Sequence, residues 1–326
     1  MTADTAPYAE LTPHTVLDAV ASTGLEVDGR LLALNSFENR VYQVGVEDAA
    51  PVVTKFYRPG RWTDESIREE HGFSCYLAEL DLPVVPPLAF DDETLLDHEG
   101  YRFAVFPRQG GREPVLESDD NLAWMGRLLG RLHRAAQDRP FRHRQRLLDV
   151  DRTAEAVQLI LESPLLPLEA RSRYEAASEA LLNALRSKLG RSSPAEQSIH
   201  GDCHRGNVLW TDSGPHLVDL DDCQTGPAVQ DFWMLLDGDP DARRRQLDAL
   251  LEGYEQFATF NWPELQLVEA LRAQRMMEYA AWIAKRWDDP AFPRLFPWFA
   301  QARYWDEHVL SLTEQLKTVE TEDMFH

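Results

Sequence analysis

Two different patterns of apolar and polar residues divide the chain near residue 110. In the first part, strand-like patterns separated by polar turns predict three strands, over residues 31–34, 40–46 and 51–57. Helical spacing predicts a helix after them, over residues 64–80, and a short helix before them that ends at Gly24. The segments "LPVVPPLAF" and "YRFAVFP" predict two more strands. We therefore expect a small antiparallel sheet that carries one helix between its strands.

The second part of the chain is mainly helical. Its first predicted helix, "DDNLAWMGRLLGRLHRAAQ", has apolar residues three and four positions apart. A hairpin with the turn "TDSG" interrupts the helices. The other predicted helices cover residues 152–162, 169–189, 227–236, 241–260, 263–287 and 298–319.

A connector that contains two glycines, "RQGGREP", joins the two parts and predicts a hinge. A chain of 326 residues is also long for one hydrophobic core, which favours two units. We therefore expect an α+β protein of two lobes. The predicted bounds are an N-lobe over residues 1–107, a hinge over residues 108–114 and a helical C-lobe over residues 115–326.

Charge and apolar content limit the classes of partner. The 55 acidic residues exceed the 33 lysines and arginines, so the formal charge is −22 and the surface repels nucleic acid and anionic membranes. No apolar run approaches the roughly 20 residues that span a bilayer, and the first residues lack the basic and apolar segments of an export signal. We expect a cytoplasmic monomer that binds neither nucleic acid nor membrane.

The cysteine content agrees with a reducing compartment. Cys75, Cys203 and Cys223 are the only cysteines, and they form no C-x-x-C pair, which argues against a disulfide framework and against structural zinc. We interpret Cys203 and Cys223 as small buried residues beside a functional segment. A redox-sensitive site is the alternative.

An acidic block over residues 198–222, "SIHGDCHRGNVLWTDSGPHLVDLDD", contains five aspartates among strand-forming residues. It is either a hairpin with solvated carboxylates or a hairpin that holds carboxylates around a metal. Phosphoryl transfer from ATP needs one carboxylate to orient a hydroxyl, together with an amide oxygen and a second carboxylate to hold Mg²⁺. Asp202, Asn207 and Asp219 supply this set of groups in this order.

An ATP site also needs a lysine that contacts the phosphates and an acidic residue that holds the lysine. Lys55 lies on the third predicted strand and is the only lysine before residue 188. The following helix offers Glu69 and Glu70, and we favour Glu70 because it lies closer to the apolar side of that helix. A surface charge on an edge strand is the alternative for Lys55.

The turn after the first strand, "LNSFENRVY", stands where a phosphate-covering loop is expected, but it lacks the G-x-G-x-x-G pattern. Ser36, flanked by Asn35 and Asn39, could present side-chain and backbone donors to the phosphates of ATP. A polar surface turn is the alternative.

The segment "HGDCHRGN" resembles the catalytic loop of protein-kinase-like phosphotransferases, in the variant found in aminoglycoside, choline and homoserine kinases. "VDLDD" stands where those proteins carry D-F-G, without its Phe or Gly. The resemblance implies a two-lobed kinase-like fold, with ATP and Mg²⁺ in the cleft. It also implies that Asp202 is the catalytic base, that Asn207 and Asp219 hold the metal, and that Asp231 braces the catalytic loop.

A closer resemblance runs over nearly the whole chain, from about residue 12 to residue 305. "ALNSFENRVYQVGVED", "KFYRPGRWT", "HGDCHRGNVLW" and "RMMEYAAWIAKRW" resemble the bacterial stress response kinase A group, whose members phosphorylate Ser and Thr. This resemblance implies a serine/threonine protein kinase of the stress response, with a protein as its substrate. It also implies that the Ser36 turn replaces the glycine-rich loop.

Other functions stay open at this point. A small-molecule kinase for an amino alcohol or an aminoglycoside would carry the same catalytic loop, and an acidic surface suits cationic acceptors. A nucleotide-binding scaffold without catalysis is a third possibility. Four cationic residues near the C-terminus have two interpretations. Either they contact an acidic or phosphorylated substrate, or they lie on solvated helix faces. They are Arg272, Arg275, Lys285 and Arg286.

Overall fold

The structure, a computed structural model, describes residues 7–192 and 194–321 of the chain. Its N-lobe contains one antiparallel sheet with the strand order β1-β2-β3-β5-β4. The strands are β1 (Val27–Ala33), β2 (Arg40–Val46), β3 (Val52–Phe56), β4 (Leu96–His98) and β5 (Tyr101–Pro107). Strand β3 is central, because β2 pairs with one of its edges and β5 pairs with the other.

Two helices pack against this sheet. Helix α1 (Pro13–Ala21) buries Val16 and Val20 in a cluster with strand residues. Helix α2 (Asp64–Glu79) begins after Thr63, whose side chain accepts a hydrogen bond from the backbone of Ser66. This cap satisfies a backbone donor that the first helical turn leaves free, and it confirms the predicted start of the helix.

One predicted strand is wrong. Residues 82–90, "LPVVPPLAF", form no strand, and the short strand β4 follows them instead. The segment does touch the sheet, because the backbone N–H of Leu88 donates to Val105 O at 2.7 Å. It cannot form a ladder because three prolines remove backbone donors: Pro83, Pro86 and Pro87.

The first strand also begins earlier than predicted, at Val27. Its pairing with β2 shifts register between Val27 and Leu31. Gly29 lies at this irregularity with a φ of 83°, a conformation that glycine adopts without steric cost. Because of this irregularity, apolar and polar residues do not alternate along β1 as they do in a regular strand.

The C-lobe is mainly helical, as predicted. Helix α3 packs against α7, and α5 packs against α10. Between α5 and α7 lie two small antiparallel pairs of strands, β6 with β9 and β7 with β8. The elements are α3 (Asp119–Ala136), α4 (Val150–Glu162), α5 (Leu168–Arg191), β6 (Gln197–Ile199), β7 (Val208–Thr211), β8 (Gly214–Leu217), β9 (Gln224–Gly226), α6 (Gln230–Trp233), α7 (Pro240–Tyr254), α8 (Val268–Ala284), α9 (Ala291–Leu295) and α10 (Ala302–Thr321).

Two helices differ clearly from their predicted bounds, and one helix, α9, was not predicted. The helix predicted over residues 227–236 shortens to α6, and the one predicted over residues 263–287 begins as a 3₁₀ segment, Trp262–Leu267, before it continues as α8. Helix α9 is too short for its periodicity to be recognised in the sequence. Within the part of the chain that the structure describes, no helix combines the length and the apolar character needed to cross a membrane.

Candidate active site

A cleft of about 1020 Å³ lies between the two lobes. Its N-lobe wall comes from the β1–β2 loop, from β3 and from α2. Its C-lobe wall comes from the segments before β7 and after β8 and from α8. All of the site residues that the sequence predicts line this one cleft: Ser36, Lys55, Glu70, Asp202, Asn207 and Asp219.

Lys55 connects the two walls. The ladders of β3 place it opposite Val41 on one side and Ala104 on the other, so it lies in the centre of the sheet and not on an edge. Its Nζ donates to Asp219 Oδ1 at 2.7 Å. Burial by itself lowers the pKa of the ammonium, but the surrounding carboxylates of Asp219, Asp221 and Glu70 outweigh it and raise the pKa. Lys55 is therefore a buried cation held by acids.

The structure distinguishes between the two neighbouring glutamates of α2. Glu69 accepts hydrogen bonds from the backbone N–H groups of Arg142, His143 and Arg144 at 2.7–2.8 Å, so it anchors that loop. Glu70 is 2% exposed and lies in the cleft, where its charge interacts with that of Lys55. Burial raises the pKa of Glu70 to about 7, although the attraction of Lys55 opposes this shift.

Asp219 follows β8 in an unusual backbone conformation. Its φ and ψ are 59° and 64°, the left-handed region that few residues other than glycine adopt. Aspartate tolerates this region better than most residues, and strain of this kind is found where a side chain must be aimed. The side chain of Asp219 is 49% exposed, whereas that of Lys55 is 10% exposed. The carboxylate can therefore reach both its lysine partner and the open cleft.

The two aspartates that follow are held by an arginine of the N-lobe. Arg61 Nη1 lies 2.5 Å from Asp221 Oδ2, and Arg61 Nη2 lies 2.5 Å from Asp222 Oδ1. Asp221 also accepts from Asn39 Nδ2 at 3.1 Å. Burial raises the pKa of Asp221, but the charges of Arg61, Lys55 and Arg144 hold it below its usual value. Asp221 is thus a buried structural carboxylate and not a solvated one.

Asp202 lies on the opposite side of the cleft from the sheet, in the loop after β6. Arg275 Nη1 donates to its Oδ1 at 3.0 Å, and His204 Nε2 lies 3.4 Å from its Oδ2. His204 Nδ1 accepts from the backbone N–H of Gly206, which places the imidazole proton on Nε2. Burial raises the pKa of Asp202, but His204 and Arg275 lower it below its usual range. The carboxylate of Asp202 is therefore ionised.

A buried carboxylate fixes the backbone in front of Asp202. Asp231 accepts from the N–H of His200 and from the N–H of Gly201, both at 2.8 Å. It also pairs with His133 Nε2 at 3.0 Å, and both side chains are fully buried. Gly201 has a φ of 83°, and a Cβ there would clash with the backbone oxygen of Asp222. The close packing behind the loop therefore explains why a glycine stands between His200 and Asp202.

The donor set of Asn207 and Asp219 fits Mg²⁺. Asn207 donates through Nδ2 to Asp202 O at 3.0 Å, which leaves its amide oxygen as an available ligand. Together with a half-exposed carboxylate, this gives two hard oxygen donors, and a site that also binds phosphate needs few more. Among residues 7–192 and 194–321, no group of three or more His, Cys, Asp or Glu side chains is arranged to hold a metal. A metal at Asn207 and Asp219 would depend on the phosphates for its other ligands.

The β1–β2 loop that carries Ser36 is held down on the C-lobe. Ser36 is partly buried at the mouth of the cleft. Two residues later, Glu38 accepts from Trp282 Nε1 at 2.6 Å and from Arg286 Nε at 3.0 Å. Phe37 also contacts Phe296, with ring centroids 5.7 Å apart. The loop therefore covers the cleft without the glycines of the usual phosphate-binding loop.

A second ionic cluster joins the lobes beside this loop, and the sequence did not predict it. Asp289 of the C-lobe pairs with Arg58 Nη2 at 2.7 Å and with Arg40 Nη2 at 3.0 Å. Arg58 also reaches Glu38 Oε1 at 2.9 Å. In the sequence, only the arginines of "FENR" and "RPGRW" could have indicated this cluster, because their acidic partner lies more than 200 residues away.

The buried cysteines agree with the preferred interpretation. Cys203 and Cys223 are both fully buried and unpaired with each other or with Cys75. Burial raises the pKa of both thiols above the usual value, which disfavours the reactive thiolate.

Comparison with known proteins shows which family and which relatives the chain resembles. The profile of a family described as "Phosphotransferase enzyme family" matches residues 30–268, which include the whole cleft except its α8 wall. "Stress response kinase A" of Salmonella choleraesuis (strain SC-B67) is 44% identical over 310 residues, which cover 95% of this chain and 94% of that protein. "Serine/threonine protein kinase RdoA" of Salmonella typhimurium has the same identity and coverage. The Escherichia coli (strain K12) stress response kinase A is 42% identical, over 96% of this chain and 95% of that protein.

Solved structures share the fold. Amicoumacin kinase hAmiN, in complex with AMP-PNP, Ca²⁺ and Ami, superposes with a TM-score of 0.74 over 96% of this chain and 95% of that chain, at 15% identity. Choline kinase LicA from Streptococcus pneumoniae superposes with a TM-score of 0.64 over 94% of this chain and 99% of that chain, at 14% identity. These likenesses confirm the predicted two-lobed kinase-like fold.

Proposed function

The chain belongs to the phosphotransferase enzyme family, and on that premise we propose that it transfers the γ-phosphoryl group of ATP to a Ser or Thr hydroxyl of a protein, with Mg²⁺. The observation that carries the proposal is the single cleft in which Lys55 pairs with Asp219 while Asp202 lies across from them. The names of the relatives support a role in the stress response.

The proposed reaction is one in-line displacement. The acceptor oxygen attacks the γ-phosphorus and forms a new P–O bond, while the bond from that phosphorus to the β–γ bridging oxygen breaks and ADP leaves with the electron pair. The hydroxyl proton passes to the Asp202 carboxylate. His204 and Arg275 keep this carboxylate ionised before the acceptor arrives.

The groups on the other side of the cleft would position the nucleotide. Lys55, paired with Asp219 and attracted by the charge of Glu70, would contact the phosphates as a fixed cation. Ser36 and its loop would cover the phosphates from above. Asn207 and Asp219 would hold Mg²⁺, which neutralises charge on the phosphates when it is bound.

The protein acceptor is supported by the relative that is named a serine/threonine protein kinase, since its 44% identity extends over nearly the whole chain. The alternative is a small-molecule kinase, the class to which the two structural neighbours belong by name. Their identity to this chain is 15% or less, so they support the fold and not the acceptor.

Incubation with labelled ATP and Mg²⁺ tests the function. The acceptors are dephosphorylated casein, histone, choline and kanamycin. We expect label on protein, and an Asp202→Ala variant should lose at least ~10³-fold in kcat with little change in ATP affinity, because Asp202 acts on the acceptor. Asp212→Ala, in the exposed turn of the hairpin, is the matched control. Label on the amines alone would establish the small-molecule kinase, and no label on any acceptor would favour the scaffold.

The metal role of Asp219 has its own test. Asp219→Asn should weaken the binding of ATP in the presence of Mg²⁺ but change binding in EDTA much less, because the lost charge acts on the metal. Calorimetric titration under both conditions measures this difference. Equal losses under the two conditions would argue that Asp219 serves only to hold Lys55.

We also propose that residues 108–114 are the hinge between an N-lobe over residues 1–107 and a C-lobe over residues 115–326. Arg108 Nε donates to Gln43 Oε1 at 2.8 Å, in the N-lobe. The backbone of Arg112 exchanges two hydrogen bonds with Trp210 of β7, in the C-lobe. These anchors leave the residues between Arg108 and Arg112 as the pivot.

A further inference from the structure

One arginine of α8 lies at the acceptor side of the cleft. Arg275 Nη1 donates to Asp202 Oδ1 at 3.0 Å. The side chain of Arg275 is 44% exposed and that of Asp202 is 21% exposed, so the guanidinium lies on the solvent side of the carboxylate. The sequence left open whether Arg275 meets substrate or solvent. The structure places it next to the group that is proposed to receive the acceptor proton.

Two carboxylates on this side of the cleft, Asp202 and Glu278, each have an arginine partner. Glu278 Oε1 lies 3.4 Å from Arg152 Nε and accepts from Thr153 Oγ1 at 2.8 Å. Asp202 is matched by Arg275 in the same way. The positive charge of Arg275 disfavours a second cation beside Asp202, although the cleft as a whole is lined by more acidic than basic side chains.

The pair of Arg275 and Asp202 leaves room for an acceptor. The hydrogen bond uses Nη1 of Arg275, whereas a guanidinium has five N–H donors, and a carboxylate accepts at about four lone-pair positions. A hydroxyl can therefore bind Asp202 while an acidic group of the same acceptor pairs with the exposed part of Arg275. The planar guanidinium matches both carboxylate and phosphate geometry.

An aromatic face next to Arg275 offers a surface for the rest of such an acceptor. The rings of Tyr279 and Trp282 are stacked, with centroids 5.5 Å apart and an angle of 19° between their planes. Tyr279 is 42% exposed, and both rings line the cleft. An extended peptide segment could lie against this face while its hydroxyl points at Asp202.

We propose that Arg275 is a specificity-determining residue. It selects acceptors that carry a carboxylate or a phosphate group beside the Ser or Thr that is phosphorylated, and it disfavours acceptors with a cation at that place. The inference rests on the proposed protein kinase function and names the class of substrate.

Peptides that differ only in charge test this selection. Each has a central Ser, and the two residues on either side are all Glu, all Ala or all Lys. A fourth peptide carries phosphoserine beside the central Ser and separates phosphate from carboxylate recognition. We expect the wild type to prefer the Glu peptide over the Lys peptide by roughly tenfold in kcat/KM, the scale of one partly exposed charge-assisted contact. Arg275→Gln should abolish the preference, and Arg275→Glu should invert it.

Two further variants control for general effects. Arg275→Lys keeps the positive charge and should keep the direction of the preference. Lys285→Gln removes the same charge from an exposed residue that follows α8 and lies outside the cleft, so its preference should equal that of the wild type. Melting temperatures confirm that each variant is folded, and if Arg275→Glu does not fold, Arg275→Gln and Arg275→Lys decide the question.

The possible failures are distinguishable. If the wild type phosphorylates the Glu, Ala and Lys peptides equally, or if Arg275→Glu still prefers the Glu peptide, the role of Arg275 is wrong while the protein kinase function stands. If Arg275→Gln lowers kcat equally for every peptide and leaves KM unchanged, Arg275 only positions Asp202, which also overturns the selection. If the wild type phosphorylates no peptide and no protein, both proposals fail.

Discussion

Lys55 Nζ lies 2.7 Å from Asp219 Oδ1, so one ion pair joins the central strand of the N-lobe to the segment that follows β8 in the C-lobe. The two partners differ in environment, because Lys55 is buried while Asp219 is half exposed. The carboxylate can turn toward a ligand in the cleft, whereas the ammonium stays in place. This asymmetry suits a lysine that positions phosphates and an aspartate that also meets a metal.

Lys55→Met should remove the fixed cation of the nucleotide site. We expect kcat/KM for ATP to fall by roughly 100-fold or more, because Lys55 would stabilise phosphate charge from a buried position. Steady-state kinetics with varied ATP measure the loss. Lys285→Met, at an exposed position, is the control and should behave as the wild type. Wild-type kinetics in Lys55→Met would contradict the proposed role.

Glu70→Gln should change how stability depends on pH. Glu70 is surrounded by Lys55, Asp221, Arg144 and Asp219, and its pKa in the folded protein is about 7 against an ordinary value of 4.5. The folded state therefore binds this proton more tightly than the unfolded state, and its contribution to stability is lost as the pH rises from 4.5 to 7.

The Gln variant should therefore gain stability relative to the wild type above pH 7 and lose this advantage near pH 4.5. The shift of the Glu70 pKa from 4.5 to about 7 corresponds to a change of at most ~3 kcal/mol in the free energy of unfolding, at 1.36 kcal/mol for each unit of pKa. Urea unfolding at pH 5 and pH 8 measures the difference. Glu69→Gln should behave differently, because it weakens hydrogen bonds to the 142–144 backbone and should only destabilise. A Glu70→Gln curve parallel to that of the wild type would contradict this prediction.

Asp231→Asn should loosen the loop that carries Asp202. The amide cannot accept all of the hydrogen bonds from His200 N, Gly201 N and His133 that the carboxylate accepts, and its own N–H groups face those donors. A buried donor left unsatisfied costs about 1–3 kcal/mol. We expect a lower melting temperature and a lower kcat. Asp212→Asn, in the exposed hairpin turn, should change neither, and an unaltered melting temperature in Asp231→Asn would be incompatible with this network.

Asp289→Ala should release the β1–β2 loop from the C-lobe. Arg58 and Arg40 would lose their shared carboxylate, and leaving buried charge uncompensated typically costs about 3–5 kcal/mol, less where one partner is partly exposed. We expect faster amide hydrogen exchange in residues 34–39 and a higher KM for ATP. Asp288→Ala, at the exposed neighbouring position, is the control. Unchanged exchange in that loop would show that Glu38 and Phe37 hold it alone.

Local patterns determined much of this protein. The period of apolar residues placed most helices, the Thr63 cap set the start of α2, and the spacing of Asp202, Asn207 and Asp219 predicted one loop and one hairpin as the candidate site, which line one cleft. Such features depend on near neighbours in the chain, which is why the sequence can predict them without a structure. The strand predicted over residues 82–90 was wrong because the prediction gave more weight to the apolar residues of this segment than to its prolines.

Only the tertiary structure decided which groups meet across the cleft. The sequence could not choose firmly between Glu69 and Glu70, could not pair Arg61 with Asp221, and could not pair Arg275 with Asp202. These contacts join residues 73 and 160 positions apart, or depend on a small rotation of one helix. Their geometry follows from how two lobes pack, and no pattern of neighbouring residues records that packing.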